Sequence, residues 1–256
     1  MEILYTQITD YMQEAGQRLV ELQARGKIKD IGVTKSNVTE EDLRIERALT
    51  GLILDTYPDH KIFAEEEHDS FENAENIWVI DPISATRALI EGRPHYASVA
   101  AHVQNGKTRF AAVYDPSVGE LFTAETGKGA YLNGKLISVS STTHSVLQNT
   151  ATSLFDSANA IALRSATKGL DTERNEASFA VNYCLVAASR KDGVISVAKD
   201  SFPEFAGALI LQEAGGELTN IDGGAVQPGD RLFIGGNRAM HEKLLRLSRA
   251  ALGLDD

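Results

Sequence analysis

A layered α/β fold is predicted by the order in which the sequence changes its period. Two helical patterns come first, a meander of strand patterns follows, and strands and helices then alternate to the end of the chain. This order suits stacked layers of helix and sheet better than a simple doubly wound sheet.

Residues 2–26 place Ile3, Leu4, Ile8, Tyr11, Met12, Ala15, Leu19 and Leu22 near a 3.6-residue period, and Gly26 stops the pattern. Thr39, followed by Glu40, Glu41 and Asp42, combines an N-cap with acids in a first turn and predicts a helix as far as Thr56. Lys61–Ala64 and Ile77–Ile80 are apolar enough for buried strands, with an acidic loop, Glu65–Asn76, between them. His95–Val103, Arg109–Asp115, Gly119–Glu125 and Gly129–Leu132 predict further strands. Asn105-Gly106, Asp115-Pro116 and Gly127-Lys128-Gly129 supply the turns between them, and Asn133-Gly134 adds another. Residues 140–175 carry no clear period. A helix is predicted at Glu176–Ser189, a strand at Gly193–Ala198, and a helix at Phe205–Ala214 ending at Gly215-Gly216. A strand at Arg231–Ile234 and a helix at Asn237–Leu252 follow. No repeat or linker interrupts the chain, so residues 1–256 are expected to form one domain, with any subdivision near 135–150.

At 256 residues, with 43% hydrophobic and 24% charged side chains, the chain is long enough to bury a sizeable core. No apolar run approaches a membrane span, and the start of the sequence lacks the basic and apolar stretches of a secretion signal. The single cysteine, Cys184, rules out an internal disulfide, and a cytoplasmic location is expected. A net charge of −11 disfavours general binding to nucleic acid or to an anionic membrane. It leaves room for a phosphate ligand where a cation or a helix N-terminus reverses the local field.

Candidate chemistry gathers around two strand ends. Glu65, Glu66 and Glu67 follow the strand ending at Ala64, and Asp81 ends the next one. If the two strands are neighbours, Glu65 and Asp81 meet, and paired carboxylates suit Mg²⁺ together with a substrate phosphate. The amides of Ala85 and Thr86 at the following helix start would suit that phosphate. The same residues also suit a solvated acidic loop and an ordinary Asp-Pro turn. The histidines have no zinc-site spacing, and Cys184 lies in an apolar helix pattern as a small core residue.

Asp81-Pro82-Ile83-Ser84-Ala85-Thr86 resembles the Asp-Pro-Ile-Asp-Gly-Thr signature of the inositol monophosphatase family. Phe63-Ala64-Glu65-Glu66 resembles the family's Gly-Glu-Glu segment. Gly92-Arg93-Pro94, Val113-Tyr114-Asp115-Pro116, Gly119–Ala124, Gly127–Gly134, Ala187–Gly193, Glu213-Ala214-Gly215-Gly216 and Gly235-Gly236-Asn237 follow in family order. The resemblance implies an αβαβα sandwich, in many members a homodimer. It also implies Mg²⁺-dependent hydrolysis of a small phosphomonoester such as an inositol, sugar or nucleotide phosphate. Carried over by position, Glu65, Asp81 and the Ile83 carbonyl would hold one metal. Glu65 and Thr86 would act in catalysis, with Thr86 orienting the attacking water. Ser84, Ala85, Thr86 and Arg87 would cradle the phosphate, and Glu66 would stand behind them.

Several family acids are missing. The signature's second Asp is Ser84 and its Gly is Ala85; Ala88 stands where an Asn is usual. Counting ten residues back from Glu213 puts Phe202-Pro203 at the family's Trp-Asp. The early Val-Thr-x-x-Asp motif is read at Val33-Thr34-Lys35-Ser36-Asn37, without its acid. The expected metal content is therefore one well-held Mg²⁺ and a degenerate second site, with Asp200 and Glu204 as the acids nearest the lost Asp. An alternative to the enzyme is a weak or inactive family member that binds a phosphorylated ligand or a protein partner.

Overall fold

The structure is a computed structural model and describes residues 3–32, 37–68, 70–151, 154, 156–174 and 178–254. Five layers stack as helix, sheet, helix, sheet, helix. The outer helix layer is α1 (Ile3–Ala24) and α2 (Glu40–Thr56). Beneath it lies a seven-stranded sheet: β1 (Lys61–Ala64), β2 (Asn76–Ser84), β3 (Ala97–Gln104), β4 (Lys107–Asp115), β5 (Glu120–Glu125), β6 (Gly129–Leu132) and β7 (Lys135–Ile137), paired in chain order. The short α3 (Thr86–Ile90) follows β2.

The second sheet has the order β11-β12-β10-β8-β9. It is built from β8 (Ser145–Thr150), β9 (Asp171–Arg174), β10 (Gly193–Val197), β11 (Gly216–Asn220) and β12 (Leu232–Asn237). Between the sheets lie α5 (Phe179–Ala187) and α6 (Phe202–Glu213), and α4 (Ala158–Ala166) and α7 (Arg238–Leu252) close the far side. Three apolar clusters match these layers. Leu4, Ile8, Ile45 and Leu49 pack on Trp78 and Phe110. Tyr183, Leu209 and Ile210 fill the middle layer between the sheets. Ile195, Ile234 and Leu244 form the outer core.

The structure adds the unexpected strands β7 and β11, starts α6 at Phe202 instead of Phe205, and differs from the sequence expectations in three further places. β2 runs through Asp81 to Ser84 instead of ending at Ile80, with one extra residue bulged between Asp81 and Ser84 opposite Val99 and Ala97. The unreadable stretch 140–175 holds β8, α4 and β9. The helix expected from Glu176 starts at Phe179, where Ser178 caps it by accepting from the Val181 amide; residues 175–177 lie outside the described residues.

α5 and α6 approach closely because Gly207 lies against the ring of Tyr183, where a Cβ would come within 2.3 Å of Cδ2. At the other end of the sheet, Asp192 secures the crossing between sheets. Its buried carboxylate accepts the amides of His144 and Ser145 at 2.9 Å each and the hydroxyls of Thr142 and Ser140. Burial alone would raise this carboxyl, but the donors together hold it well below the usual carboxylate range. A lowered folded-state pKa contributes stability above the unfolded value of 3.8 and loses it as pH falls below that.

Two outcomes follow for thermal denaturation. Gly207→Ala should destabilise the fold by about 1–3 kcal/mol through overpacking on Tyr183. Asp192→Asn should cost about 1–3 kcal/mol at pH 7, and the gap to the wild type should narrow as pH drops below 3.8. A gap that stays constant with pH would show that the Asp192 charge is not what holds the crossing.

Candidate active site

Parallel pairing of β1 with β2, Ala64 opposite Ile80, carries the chain past both strand ends at one place. The Glu65 amide continues the ladder to the Ile80 carbonyl at 3.2 Å. The turn that follows is shaped by Glu46, a fully buried acid of α2. Its carboxylate accepts the Glu66 and Glu67 amides at 2.8 Å each and meets His68 Nδ1 at 2.9 Å. Glu66 is thereby held by its backbone beside the site, and His68 is a partner of Glu46.

Glu65, Asp81, Ser84, Ala85 and Arg87 all line one cavity of about 440 Å³, together with Asp200, Pro203 and Glu204. That volume suits a small-molecule site. Asp81 is 3% exposed, and its Oδ1 has no hydrogen-bond partner among the described residues. Burial first, then the neighbouring charges of Glu65 and Asp200, push the Asp81 carboxyl well above its ordinary range. Ser84 is a hydrogen-bond partner of Asp81 and opposes that shift. The hydroxyl at the signature's lost Asp therefore supports the remaining carboxylate.

Ile83 and Thr86 stand behind the cavity wall. Thr86 Oγ1 lies 2.6 Å from the Ile83 carbonyl and 3.0 Å from Asp42 Oδ1. Asp42 is wholly buried, and its other oxygen accepts the Thr39 amide at 2.8 Å and the Thr39 hydroxyl at 2.5 Å, closing the capping box of α2. Burial raises the Asp42 carboxyl to about 7 despite these bonds. One hydroxyl proton on Thr86 faces two acceptors, so a protonated Asp42 donates to Thr86 while Thr86 donates to Ile83. On ionisation, Asp42 becomes an acceptor for that hydroxyl.

This corrects the reading of the early motif. Val33–Ser36 lie outside the described residues, and Val38-Thr39-Glu40-Glu41-Asp42 spells Val-Thr-x-x-Asp in full five residues later. The acid taken as lost is present at Asp42, in contact with Thr86. The complete spelling at 38–42 was visible in the sequence, where only the second frame carries the Asp, and the contact with Thr86 supports it.

Ala85 adopts the left-handed region, φ 66° and ψ 45°, where glycine is the usual residue and alanine costs roughly 1–2 kcal/mol. α3, which Ala85 caps, has only five residues, so its N-terminus offers little helix dipole. Arg87 lies on the cavity wall and pairs with Glu91 at 2.7 Å, as Arg93 does at 2.8 Å. Pro203 sits in the first turn of α6, where its missing amide is tolerated. Glu204 is fully buried. Its Oε1 accepts from Tyr183 at 2.8 Å and its Oε2 has no partner among the described residues; burial pushes it up to about 8. Asp200 and Glu204 both line the cavity. Cys184 is buried in the core, its thiol pushed up by burial.

The donor set fits one hard cation. Two neighbouring carboxylates, Glu65 and Asp81, one with an orphaned buried oxygen, line the cavity, and the Ile83 carbonyl two residues after Asp81 is engaged by the Thr86 hydroxyl. Ser84 and Pro203 offer no carboxylate to a second centre, and among the described residues no group of three or more Asp, Glu, His or Cys side chains is arranged to hold a metal at either place.

The inositol monophosphatase family profile matches residues 4–252. The chain belongs to the inositol monophosphatase family. A fructose-1,6-bisphosphatase/inositol-1-monophosphatase of Thermotoga maritima is 30% identical over 213 residues, covering 83% of this chain and 82% of that protein. The Nus factor SuhB of Vibrio cholerae is 34% identical over 194 residues, covering 73% of each. Among solved structures, an IMPase of Thermotoga maritima superposes with a TM-score of 0.84 at 26% identity over 99% of both chains. The extragenic suppressor protein suhB of Bartonella henselae superposes at 0.82 and 25%, covering 94% of this chain and 96% of that one. Membership supports phosphomonoester hydrolysis, metal dependence and a small phosphorylated substrate in general terms.

A cation at this site should be visible in stability. Asp81 and Asp42 have raised folded-state pKa values, so each contributes stability below its unfolded pKa that is lost as pH rises. Mg²⁺ should offset this at high pH and compete with protons at low pH. At about 100 times its Kd, Mg²⁺ should raise Tm by roughly 5–10 °C at pH 8 and by much less at pH 5.5. The shift should vanish in Asp81→Asn; an undiminished shift there would place the ion elsewhere.

Proposed function

We propose that this protein hydrolyses a small phosphomonoester, an inositol, sugar or nucleotide phosphate, with one divalent cation held by Glu65, Asp81 and the Ile83 carbonyl. The observation that carries the reading is the Asp42–Thr86 contact behind the paired Glu65 and Asp81.

When bound, Mg²⁺ supplies positive charge against the phosphoryl oxygens. Glu65 and Asp81 fix where that charge sits. Ser84 and Ala85 line the cavity beside it, and the Ser84 hydroxyl and the Ala85 amide would orient the phosphate. Ionised Asp42 takes the Thr86 proton as a hydrogen bond, which leaves Thr86 Oγ1 an acceptor for a water at the wall. The pair thus orients the water and draws its proton, with the Asp42 carboxyl, raised to about 7, matched to neutral pH. Glu46 keeps the Glu65 turn from drifting. Arg87 is a charge partner for the phosphate that would have to exchange Glu91 for it.

No helix among the described residues is long and apolar enough to cross a membrane. With a lone buried cysteine, the reading places the protein in the cytoplasm. Family resemblance supports a homodimer.

A second reading is a binding role without turnover. It is favoured by Ser84 and Pro203, which remove two acids of the second metal, and by relatives bearing the name Nus factor SuhB.

Phosphate release from a panel of small phosphomonoesters under Mg²⁺ titration separates the two. Turnover should require Mg²⁺, disappear in Asp81→Asn, and fall about a hundredfold in Thr86→Val and in Asp42→Asn. Absence of Mg²⁺-dependent release on every ester, with the wild type no better than Asp81→Asn, would leave the binding role standing.

A further inference from the structure

Glu204 lines the cavity from the first turn of α6. The residue is wholly buried, and its two carboxyl oxygens have different surroundings. Oε1 ends a chain of hydrogen bonds. Asn182 Nδ2 donates to Asn149 Oδ1 at 2.8 Å, and Asn149 Nδ2 donates to Ser196 Oγ at 3.2 Å. Ser196 Oγ lies 2.9 Å from the Tyr183 hydroxyl, which lies 2.8 Å from Glu204 Oε1. Tyr183 has one proton for two neighbours, while Ser196, already an acceptor, has a proton of its own to give. With Ser196 donating to Tyr183 and Tyr183 to Glu204, every proton of the chain points toward Oε1. Oε2 has no partner among the described residues.

This pattern suits a neutral carboxyl, which accepts as a carbonyl at Oε1 and carries its proton on Oε2. Burial pushes Glu204 up to about 8 and the charge of Asp200 adds to it, against the Tyr183 hydrogen bond and the charge of Arg231. At neutral pH the carboxyl therefore keeps a proton for which the described residues offer no acceptor. Its place in the layers is equally specific. Trp78 and Ile80 of β2 pack under α1 and α2, while Ile77 and Val79 pack toward α5 and α6. Asp42 reaches Thr86 from α2, and Glu204 comes from α6 on the other face of the same sheet. The strand ends that carry Glu65 and Asp81 separate the two approaches. In phosphoryl transfer the attacking and leaving oxygens lie roughly in line. A water held at Thr86 thus sends the leaving oxygen toward the α6 side.

We propose that Glu204 is the acid that protonates the leaving oxygen of the phosphomonoester. This rests on the reading of the cavity as a site of phosphomonoester hydrolysis. The water oxygen bonds to phosphorus and gives one proton to Asp42 through Thr86. The bond from phosphorus to the alcohol oxygen breaks, and its electron pair takes the Oε2 proton. The products are the free alcohol and phosphate, with Glu204 ionised and Asp42 neutral. Exchange with solvent, one proton gained by Glu204 and one lost by Asp42, restores the site. A pair of cations would clamp both the attacking and the leaving oxygen, and Ser84 and Pro203 offer no carboxylate to the second of them. The proton of Glu204, one residue after Pro203, meets the charge that this second cation would have met. Tyr183 steadies the carboxylate that forms.

An alkyl ester departs as an alkoxide, which needs that proton, whereas 4-nitrophenyl phosphate departs as a stable phenolate, which does not. Release from glycerol 2-phosphate, inositol 1-phosphate and 4-nitrophenyl phosphate should be measured in Mg²⁺ for the wild type, Glu204→Gln and Tyr183→Phe, with thermal melting to show that each variant folds. Glutamine keeps the acceptor for Tyr183 but has no proton to transfer. Glu204→Gln should lose about a hundredfold in kcat on whichever alkyl ester is hydrolysed, and far less on 4-nitrophenyl phosphate. Tyr183→Phe should lose about tenfold on the alkyl ester, again with the aryl ester the less affected. The infrared difference between wild type and Glu204→Gln should contain the carbonyl stretch of a neutral carboxyl at pH 7, fading as pH rises past about 8. Equal losses on alkyl and aryl esters in a folded Glu204→Gln, no loss on either, or no such band overturns the proposal and leaves hydrolysis standing. If Glu204→Gln does not fold, Tyr183→Phe decides by the same comparison of esters. If the wild type hydrolyses none of these esters, the hydrolytic reading falls and the proposal falls with it.

Discussion

Two buried carboxylates one helical turn apart on α2 hold the whole site in place. Asp42 and Glu46 lie four residues apart on one face of the helix, and neither is exposed. Asp42 closes the cap of its own helix through Thr39 and reaches across to Thr86 at the end of β2. Glu46 takes the amides of the turn after β1. One rigid helix thus sets the position of both segments that carry the candidate ligands. Neither acid acts on its own segment alone, which is why burying two carboxylates here has a structural return. The cost shows in the raised pKa of Asp42 and in the proximity of Glu66 to it.

This arrangement explains which parts of the site were legible in the sequence. Apolar strands followed by acids made Glu65 and Asp81 neighbours on paper, and the parallel β1–β2 ladder joins them. The Val-Thr-x-x-Asp motif was misplaced because Val-Thr occurs twice within ten residues and the first occurrence, which ends at Asn37, was taken in place of the second, which has its acid at Asp42. A hydrogen bond spanning 44 residues of sequence supports the second. Tertiary contacts of that kind leave no periodic trace. The same holds for Pro203 and Glu204. Counting along the chain showed that the acid had gone, while the burial of Glu204 against Tyr183 depends on how α5 and α6 meet at Gly207.

Most of the layered order was legible because the first sheet is a meander with turn residues at each reversal. The stretch 140–175 was not, and its composition gives the reason. β8 reads Ser145-Val-Leu-Gln-Asn-Thr150, a strand buried on both faces, with Gln148 on one and Asn149 on the other. Gln148 donates to the Leu163 carbonyl and the Thr167 hydroxyl, and Asn149 joins Ser196 and Asn182. Polar residues buried by mutual hydrogen bonds break the apolar period on which strand prediction relies. β9, with Asp171, Thr172, Glu173 and Arg174, has no apolar residue at all and exists as an edge paired to β8.

The electrostatics of the cavity follow from the same layering. Acids enter from the first sheet, where the orphaned Oδ1 of Asp81 leaves one carboxylate oxygen with lone pairs to give. Without a cation these groups repel, and burial drives Asp81 toward its neutral form. A cation at this end would relieve that repulsion. The lost second-metal acids reduce how much positive charge the first sheet can hold. Ser84 now supports Asp81, and Pro203 contributes only a backbone turn. If one cation is held instead of two, the remaining counter-charge for a phosphorylated ligand has to come from side chains. Arg87 and Arg93 are already engaged with Glu91 on the near wall. Glu204, kept neutral at pH 7 by burial, adds no further negative charge for them to offset.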